Sequence, residues 1–278
     1  MTDHTADLEK HRREYAAQWE NHANAHHDQG DYAWLAEGVR DYQAILEIGC
    51  GAGHSTLELL NQGHRLVVIE ENQHCIQLTR QRLEESGYTA EVVLRGHPTA
   101  ASTYGGKTYD LNYEPVRVFS DVSCVIIEGD ALHDEQLIEW LRGRKFDAVI
   151  CWLIGTHNYR GWCDAVASRG INSSHVYRVI VQNGVYELAD EILRKGGILN
   201  VVDRMQTPST DYLQKAVLDL HREQASVTSL QVQGLRYKPF VLSAVEGGVP
   251  MVLTLPTDGS AADVTADQSL CAVTSVKP

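Results

Sequence analysis

The sequence has no apolar run approaching the roughly 20 residues that cross a bilayer. Its first residues, rich in His, Glu and Arg, lack the apolar stretch of a secretory leader. Both absences predict a soluble, cytoplasmic protein. Cys50, Cys75, Cys124, Cys151, Cys163 and Cys271 form no C-x-x-C pair and no zinc-finger spacing, so reduced and mostly buried thiols are expected. Basic charge is scarce: 24 Lys and Arg stand against 37 Asp and Glu, a formal net charge of -13. The longest mixed basic stretch, Lys10 to Arg13, is too short to form a patch, which disfavours nucleic acid as a partner. No internal repeat or low-complexity segment is present. What remains is an ordinary globular mix of 278 residues, 43% hydrophobic and 22% charged, with a mean hydropathy of -0.27. That suffices for one large domain with decorations, as a monomer or homodimer, and not for two independent cores.

From Gln43 onward, apolar β-branched runs alternate with helical patterns, as in a parallel α/β sheet. Strands are expected at Ala44–Ile48, Arg65–Ile69, Val122–Ile127, Ala148–Leu153 and Ile198–Val202. Helices are expected at Ser55–Gln62, His74–Ser86, Glu135–Arg142, Val176–Arg194 and Asp211–Glu223, the fourth stopped by Gly196-Gly197. Ser229–Gln233 and Met251–Leu255 read as a closing antiparallel pair, joined by a long loop through Pro239–Pro250. The organisation predicted is a helical cap or lid over residues 1–40, a main domain over 41–257 and a small, polar, mobile tail over 258–278. An insertion at 88–121 interrupts the alternation and reads as a hairpin or flap, Glu91–Arg95 against Val116–Phe119.

The most informative stretch is Ile45-Leu46-Glu47-Ile48-Gly49-Cys50-Gly51-Ala52-Gly53-His54, a buried strand running through alternate glycines into a helix. Glycine there permits positive φ and close approach of a ligand to the backbone. Dinucleotide enzymes use G-x-G-x-x-G to seat a pyrophosphate; here the third glycine comes one position early and His54 stands in its place. Glu47 would repel a pyrophosphate but attract an ammonium or sulfonium, so a zwitterionic ligand fits better.

With that turn the chain resembles the class I S-adenosylmethionine-dependent methyltransferases, whose first motif is E/D-x-G-x-G-x-G. Further motifs resemble the family's in order: Glu70 ending the second strand, Glu128-Gly129-Asp130-Ala131-Leu132 ending the third, Phe146-Asp147-Ala148-Val149-Ile150, and Leu193-Arg194-Lys195-Gly196-Gly197-Ile198-Leu199, with Lys195 where proline is commoner. The resemblance implies a Rossmann-like α/β fold: a seven-stranded, mostly parallel sheet with helices on both faces and an antiparallel C-terminal edge hairpin. It implies S-adenosylmethionine as cofactor, held by Glu47, Gly49, Cys50, Gly51 and Gly53. Glu70, with Glu71 as the alternative, would take the ribose hydroxyls, and Asp130, Ala131 and Leu132 the adenine. Cys151 would border the cofactor from the fourth strand. Asp130 also reads as a helix N-cap, and both roles are compatible.

Methyl transfer demands alignment and exclusion of water more than a catalytic triad. At the end of the fourth strand stands Cys151-Trp152-Leu153-Ile154-Gly155-Thr156-His157-Asn158-Tyr159. It lacks the N/D/S-P-P-Y/F signature of base and glutamine methylases, and has no strand-end Asp for a catechol-type metal site, so no metal is assigned. His157 is the candidate general base; Trp152 and Tyr159, with Trp162 behind them, are candidate acceptor contacts. If residues 12–27 are helical, Tyr15, Trp19, His22 and His26 share one face, either packing on the sheet or closing over the acceptor. His22 and His26 could pair on a metal, but no third ligand is evident. A small-molecule acceptor is the leading expectation. The alternatives are a protein or RNA methyltransferase docking through the insertion, a non-catalytic partner subunit keeping the fold, and an NAD dehydrogenase.

Overall fold

The computed structural model describes residues 4–101, 108–118, 121–171, 173–240 and 267–278. Its main sheet grows from strands β1 (Ala44–Ile48), β2 (Arg65–Glu70), β3 (Ala90–Val93), β6 (Cys124–Glu128), β7 (Phe146–Trp152), β8 (Leu193–Gln206), β9 (Gln231–Phe240) and β10 (Gln268–Val276). A separate hairpin pairs β4 (Gly96–Ala101) with β5 (Thr108–Tyr113). The main sheet runs β3-β6-β2-β1-β7-β8-β10-β9, parallel from β3 to β8 and antiparallel where β10 enters between β8 and β9. Such central strands are apolar on both faces because helices cover both. Leu46, Ile48, Val149 and Cys151 face one core with Val181, Val185 and Ala189 of helix α7 (Ser174–Ile192). Ile45, Ala148 and Ile150 face the other, against Leu59 of α3 (His54–Asn61) and Ile76 and Leu83 of α4 (Gln73–Glu85). The Rossmann-like α/β expectation holds, with an eighth strand added at the β3 edge.

Helix α1 (His4–Asp28) buries Leu8, Arg12, Ala16, Trp19, Ala23 and His26, a stripe at helical spacing. Leu8 joins one core while Trp19 and Ala23 join the other. The helix therefore crosses over the edge of the sheet, and α2 (Asp31–Glu37) continues it. The remaining helices are α5 (Glu135–Arg142), α6 (Asp164–Ala167) and α8 (Asp211–Ala225), with a 3₁₀ helix at Asn158–Trp162.

Four expectations are corrected. Residues 90–93 pair with β6 rather than with 116–118, because Ala90-Glu91-Val92-Val93 finds the free edge of β6 in parallel register. The chain then leaves the sheet where the Glu128 carboxylate accepts both Arg95 N–H and Gly96 N–H, each at 2.7 Å. Arg95 forms a buried ion pair with Asp134, anchoring the hairpin's base. Helix α7 ends at Ile192, ahead of the expected glycine stop, since Leu193 already pairs with Phe146 of β7. The tail assigned as mobile contains β10, whose Leu270, Cys271, Ala272 and Val273 are buried between β8 and β9. Strand β9 extends to Phe240, into the segment read as a loop. The expected strand Met251–Leu255 and the Gly105-Gly106 turn lie outside the described residues.

Candidate active site

The carboxyl ends of β1, β2, β6 and β7 converge on one cleft, the place where open α/β sheets take ligands. Gly49 and Gly51 line it. Gly51 has φ +53, and a Cβ there would run into the indole of Trp19, which lies on the glycine turn. Gly53 serves packing instead: a Cβ would come within 2.7 Å of Thr79 Cα, so its absence lets α3 approach α4. Glu47 does not reach the cleft. Its carboxylate accepts from Ser55 Oγ and from Thr56 Oγ1 at 2.8 Å, and burial pushes it up to about 7. Cys50 is buried, its sulfur accepting from Thr79 Oγ1 at 3.2 Å.

At the end of β2, Glu70 accepts the N–H groups of Gly51 at 3.2 Å and Asn72 at 2.9 Å, one on each oxygen. Burial raises it to about 7 despite these bonds. Glu71 also lines the cleft but is committed elsewhere. Burial works to raise it, yet Arg12, His157 and Arg160 outweigh burial and hold it well below the carboxylate range. Arg12 donates Nε to the Glu71 carboxylate at 3.2 Å and Nη2 to its carbonyl at 3.1 Å. Asn72 caps α4 and donates Nδ2 to the Arg12 carbonyl at 2.9 Å, so α1 is tied to the end of β2 at two points. Replacing Arg12 by lysine keeps the charge and loses the fork. A loss of about 1.5–3 kcal/mol is expected for such a charge-assisted bond. Urea denaturation reads it; an unchanged midpoint would mean that the apolar stripe alone holds α1.

After β6, Asp130 accepts Leu132 N–H at 2.7 Å and forms buried contacts with Arg160 and with His133 Nδ1, the latter at 3.3 Å. Ala131 lines the cleft, whereas Leu132 packs against the core behind it. Cys151 is likewise core and does not reach the cleft. From β7 come Trp152, whose Nε1 donates to Asn200 Oδ1 at 2.7 Å, and Leu153, the one non-glycine residue with positive φ among the described residues, +54. A leucine held in that conformation costs about 1–3 kcal/mol, the kind of strain that clusters at functional sites.

His157 is buried in the cleft wall with Nε2 3.7 Å from Glu71 Oε2 and the ring of Tyr15 at its edge, centroids 6.4 Å apart. Tyr15 and Trp19 from α1 and Tyr177 from α7 complete the lining. His22 lies beside Trp19, and His26 pairs with Asp31 at 2.8 Å, so the two histidines enter other contacts. Tyr159 stands outside, stacked between His11 and Tyr109, and Trp162 is exposed. Sequence reasoning missed Arg12, Asn72, Tyr177 and Arg160. Arg12 carried a signal, a charge on the apolar stripe of α1; Arg160 carried none, because its partners come from distant loops.

No protein-family model and no curated protein matches the chain. Many solved structures resemble it, and many of these are S-adenosylmethionine-dependent methyltransferases. The glycopeptide N-methyltransferase MtfA is 14% identical, with 90% of this chain and 95% of that chain covered, TM-score 0.45. The N-methyltransferase NodS from Bradyrhizobium japonicum, in complex with S-adenosyl-L-homocysteine, is 11% identical over 90% and 87%, TM-score 0.44. The YcgJ protein from Bacillus subtilis is 13% identical over 90% and 98%, TM-score 0.46. The chain's own sheet is mostly parallel and ends in antiparallel strands.

Proposed function

We propose that this protein is an S-adenosylmethionine-dependent methyltransferase acting on a small-molecule acceptor. One observation carries the reading: the glycine turn, a buried strand-end carboxylate and the Asp130 segment meet in a single cleft at the carboxyl edge of the sheet. The cofactor fits the residues present. The bare Cα of Gly51 would let a ligand approach the turn closely once Trp19, which lies against it, has moved aside. The Glu70 carboxylate accepts from the N–H groups of Gly51 and Asn72 and from the Cys50 thiol, and a diol would take up its remaining lone pairs. Gly49, Gly51, Glu70, Asp130 and Ala131 would hold the cofactor; Glu47, Cys50, Leu132 and Cys151 support it from behind. The bound cofactor supplies an electrophilic methyl group on a sulfonium.

The chain's own task is to orient the acceptor and exclude water. Tyr15, Trp19, Trp152 and Tyr177 form aromatic walls for an acceptor, and α1 acts as the lid, since Trp19 must leave Gly51 to admit a ligand there. His157 takes the acceptor's proton, and the Glu71 carboxylate 3.7 Å away, kept ionised by its lowered pKa, favours the imidazolium that forms. A second reading, a partner subunit that keeps the fold without catalysis, is favoured by Trp19 covering Gly51 and by Arg160 occupying Asp130.

Calorimetric titration with S-adenosylmethionine, and separately with NAD, tests both readings. Micromolar binding of the former alone is expected; binding of neither favours the partner subunit. The pH dependence adds a specific expectation. Glu70 is raised to about 7 in the free protein, and its ionised form is the better acceptor for a diol and the better partner for a sulfonium. Below that pH a proton must be shed on binding, so affinity falls by up to about tenfold per pH unit. Above it the affinity levels off. Glu70→Gln should flatten the profile between pH 6 and 8; an unchanged profile would show that Glu70 is not the group that governs binding in this range.

A further inference from the structure

Outside the glycine cleft, three chemically different ligands come together from distant parts of the chain. Asp110 lies on β5 of the inserted hairpin, His133 in the turn after β6, and Cys163 directly after the 3₁₀ helix. A parallel bridge between Tyr109 and Cys163 fixes the hairpin against that last segment. One carboxylate oxygen, one imidazole nitrogen and the thiol sulfur lie within 4.8 Å of one another. We infer that Asp110, His133 and Cys163 bind one zinc-like divalent ion, tying the hairpin, the post-β6 turn and the 3₁₀ segment together.

The donor set suits such an ion: thiolate and imidazole favour zinc-like metals over magnesium or calcium. A tetrahedral site with bonds of about 2.0–2.3 Å keeps its ligand atoms about 3.3–3.8 Å apart, so the three need to draw in by roughly an ångström. His133 is already oriented for this. Its Nδ1 lies 3.3 Å from both the Asp130 carboxylate and Arg160 Nη2, which leaves the other ring nitrogen for an ion. Its Nε2 is buried and has no hydrogen-bond partner.

Cys163 is fully buried, with its sulfur 4.0 Å from Asp110 Oδ1. One thiolate and one carboxylate neutralise a divalent charge, so the filled site buries no net charge of its own. Binding releases the Cys163 proton to solvent. Three protein ligands leave a fourth position for water. Asp130 links this site to the cleft, since it contacts His133 on one side and lines the cleft on the other.

The test is titration of chelator-treated, full-length protein with Co²⁺, read by absorption. Expected are one equivalent bound, a thiolate-to-cobalt charge-transfer band in the near ultraviolet and the strong visible bands of a tetrahedral centre. Cys163→Ser should lose the charge-transfer band and weaken binding by more than about 100-fold, exceeding the usual effect of outer-shell changes. Asp110→Asn should weaken binding while keeping the band. His97→Ala, exposed on the same hairpin, should behave as the unaltered protein. Should Cys163→Ser fail to fold, His133→Gln reads the same loss of affinity. No charge-transfer band in the unaltered protein, or an undiminished band in Cys163→Ser, overturns the site.

Discussion

Replacing Gly51 by valine is expected to abolish binding of S-adenosylmethionine, by more than about 100-fold, while the sheet stays folded. Two effects act at this position. A β-branched residue at φ +53 is held in the left-handed region, at a cost of about 1–3 kcal/mol. The new side chain also grows into the space that Trp19 fills, and through which a ligand must approach the glycine turn. Because the obstacle belongs to α1 rather than to the sheet, the fold can yield by shifting the lid. Pairing Gly51→Ala with Trp19→Ala separates the effects: the double variant should regain stability lost to the clash, but not ligand affinity. Calorimetry and thermal melts of the three variants measure both quantities. Normal affinity in a folded Gly51→Val protein would remove the glycine turn from the binding site.

The parallel half of this fold was legible because its strands announce themselves. Ala44–Ile48 and Phe146–Trp152 are apolar apart from Glu47 and Asp147, as expected of strands buried on both faces. The glycine turn and Glu70 were legible for the same reason: a local backbone requirement leaves a local trace. What depends on distant partners left little trace. Arg160 pairs with Asp130 across a loop whose path no periodicity encodes. The hairpin register was misread because Val92 and Val93 suit either an edge of β6 or a partner at 116–118, and the Glu128 carboxylate decides between them. The metal ligands at 110, 133 and 163 have no motif spacing at all. Strand β10 was missed for a different reason: Gln268, Ser269, Thr274 and Ser275 give it a polar look, although Ser269 and Ser275 are fully buried in the sheet.

That strand yields the second large effect: a chain shortened to remove residues 267–278 should not fold. Strand β10 pairs with β8 from Ile198 to Gln206 and with β9 from Gln231 to Phe240, so its loss strips one edge of β8 and detaches β9. The unpaired backbone groups of β8 would then need water inside the sheet, or another chain's edge. Burying Leu270 and Val273 alone contributes about 1.5–3 kcal/mol each, a large part of a domain's typical 5–15 kcal/mol before any backbone bond is counted. The damage would reach the cleft, because Leu153 N–H donates to the Val202 carbonyl of β8 at 2.8 Å and so fixes the strained turn after β7. Val273→Asp should imitate the truncation by placing an unpaired charge between the strands. Lys277→Ala should not: its ion pair with Asp190 is about a quarter exposed and worth no more than about 1 kcal/mol. Near-ultraviolet circular dichroism and thermal melts distinguish these outcomes. A truncated protein that melts cooperatively within a few degrees of the full chain would show that β8 and β9 close the sheet without β10.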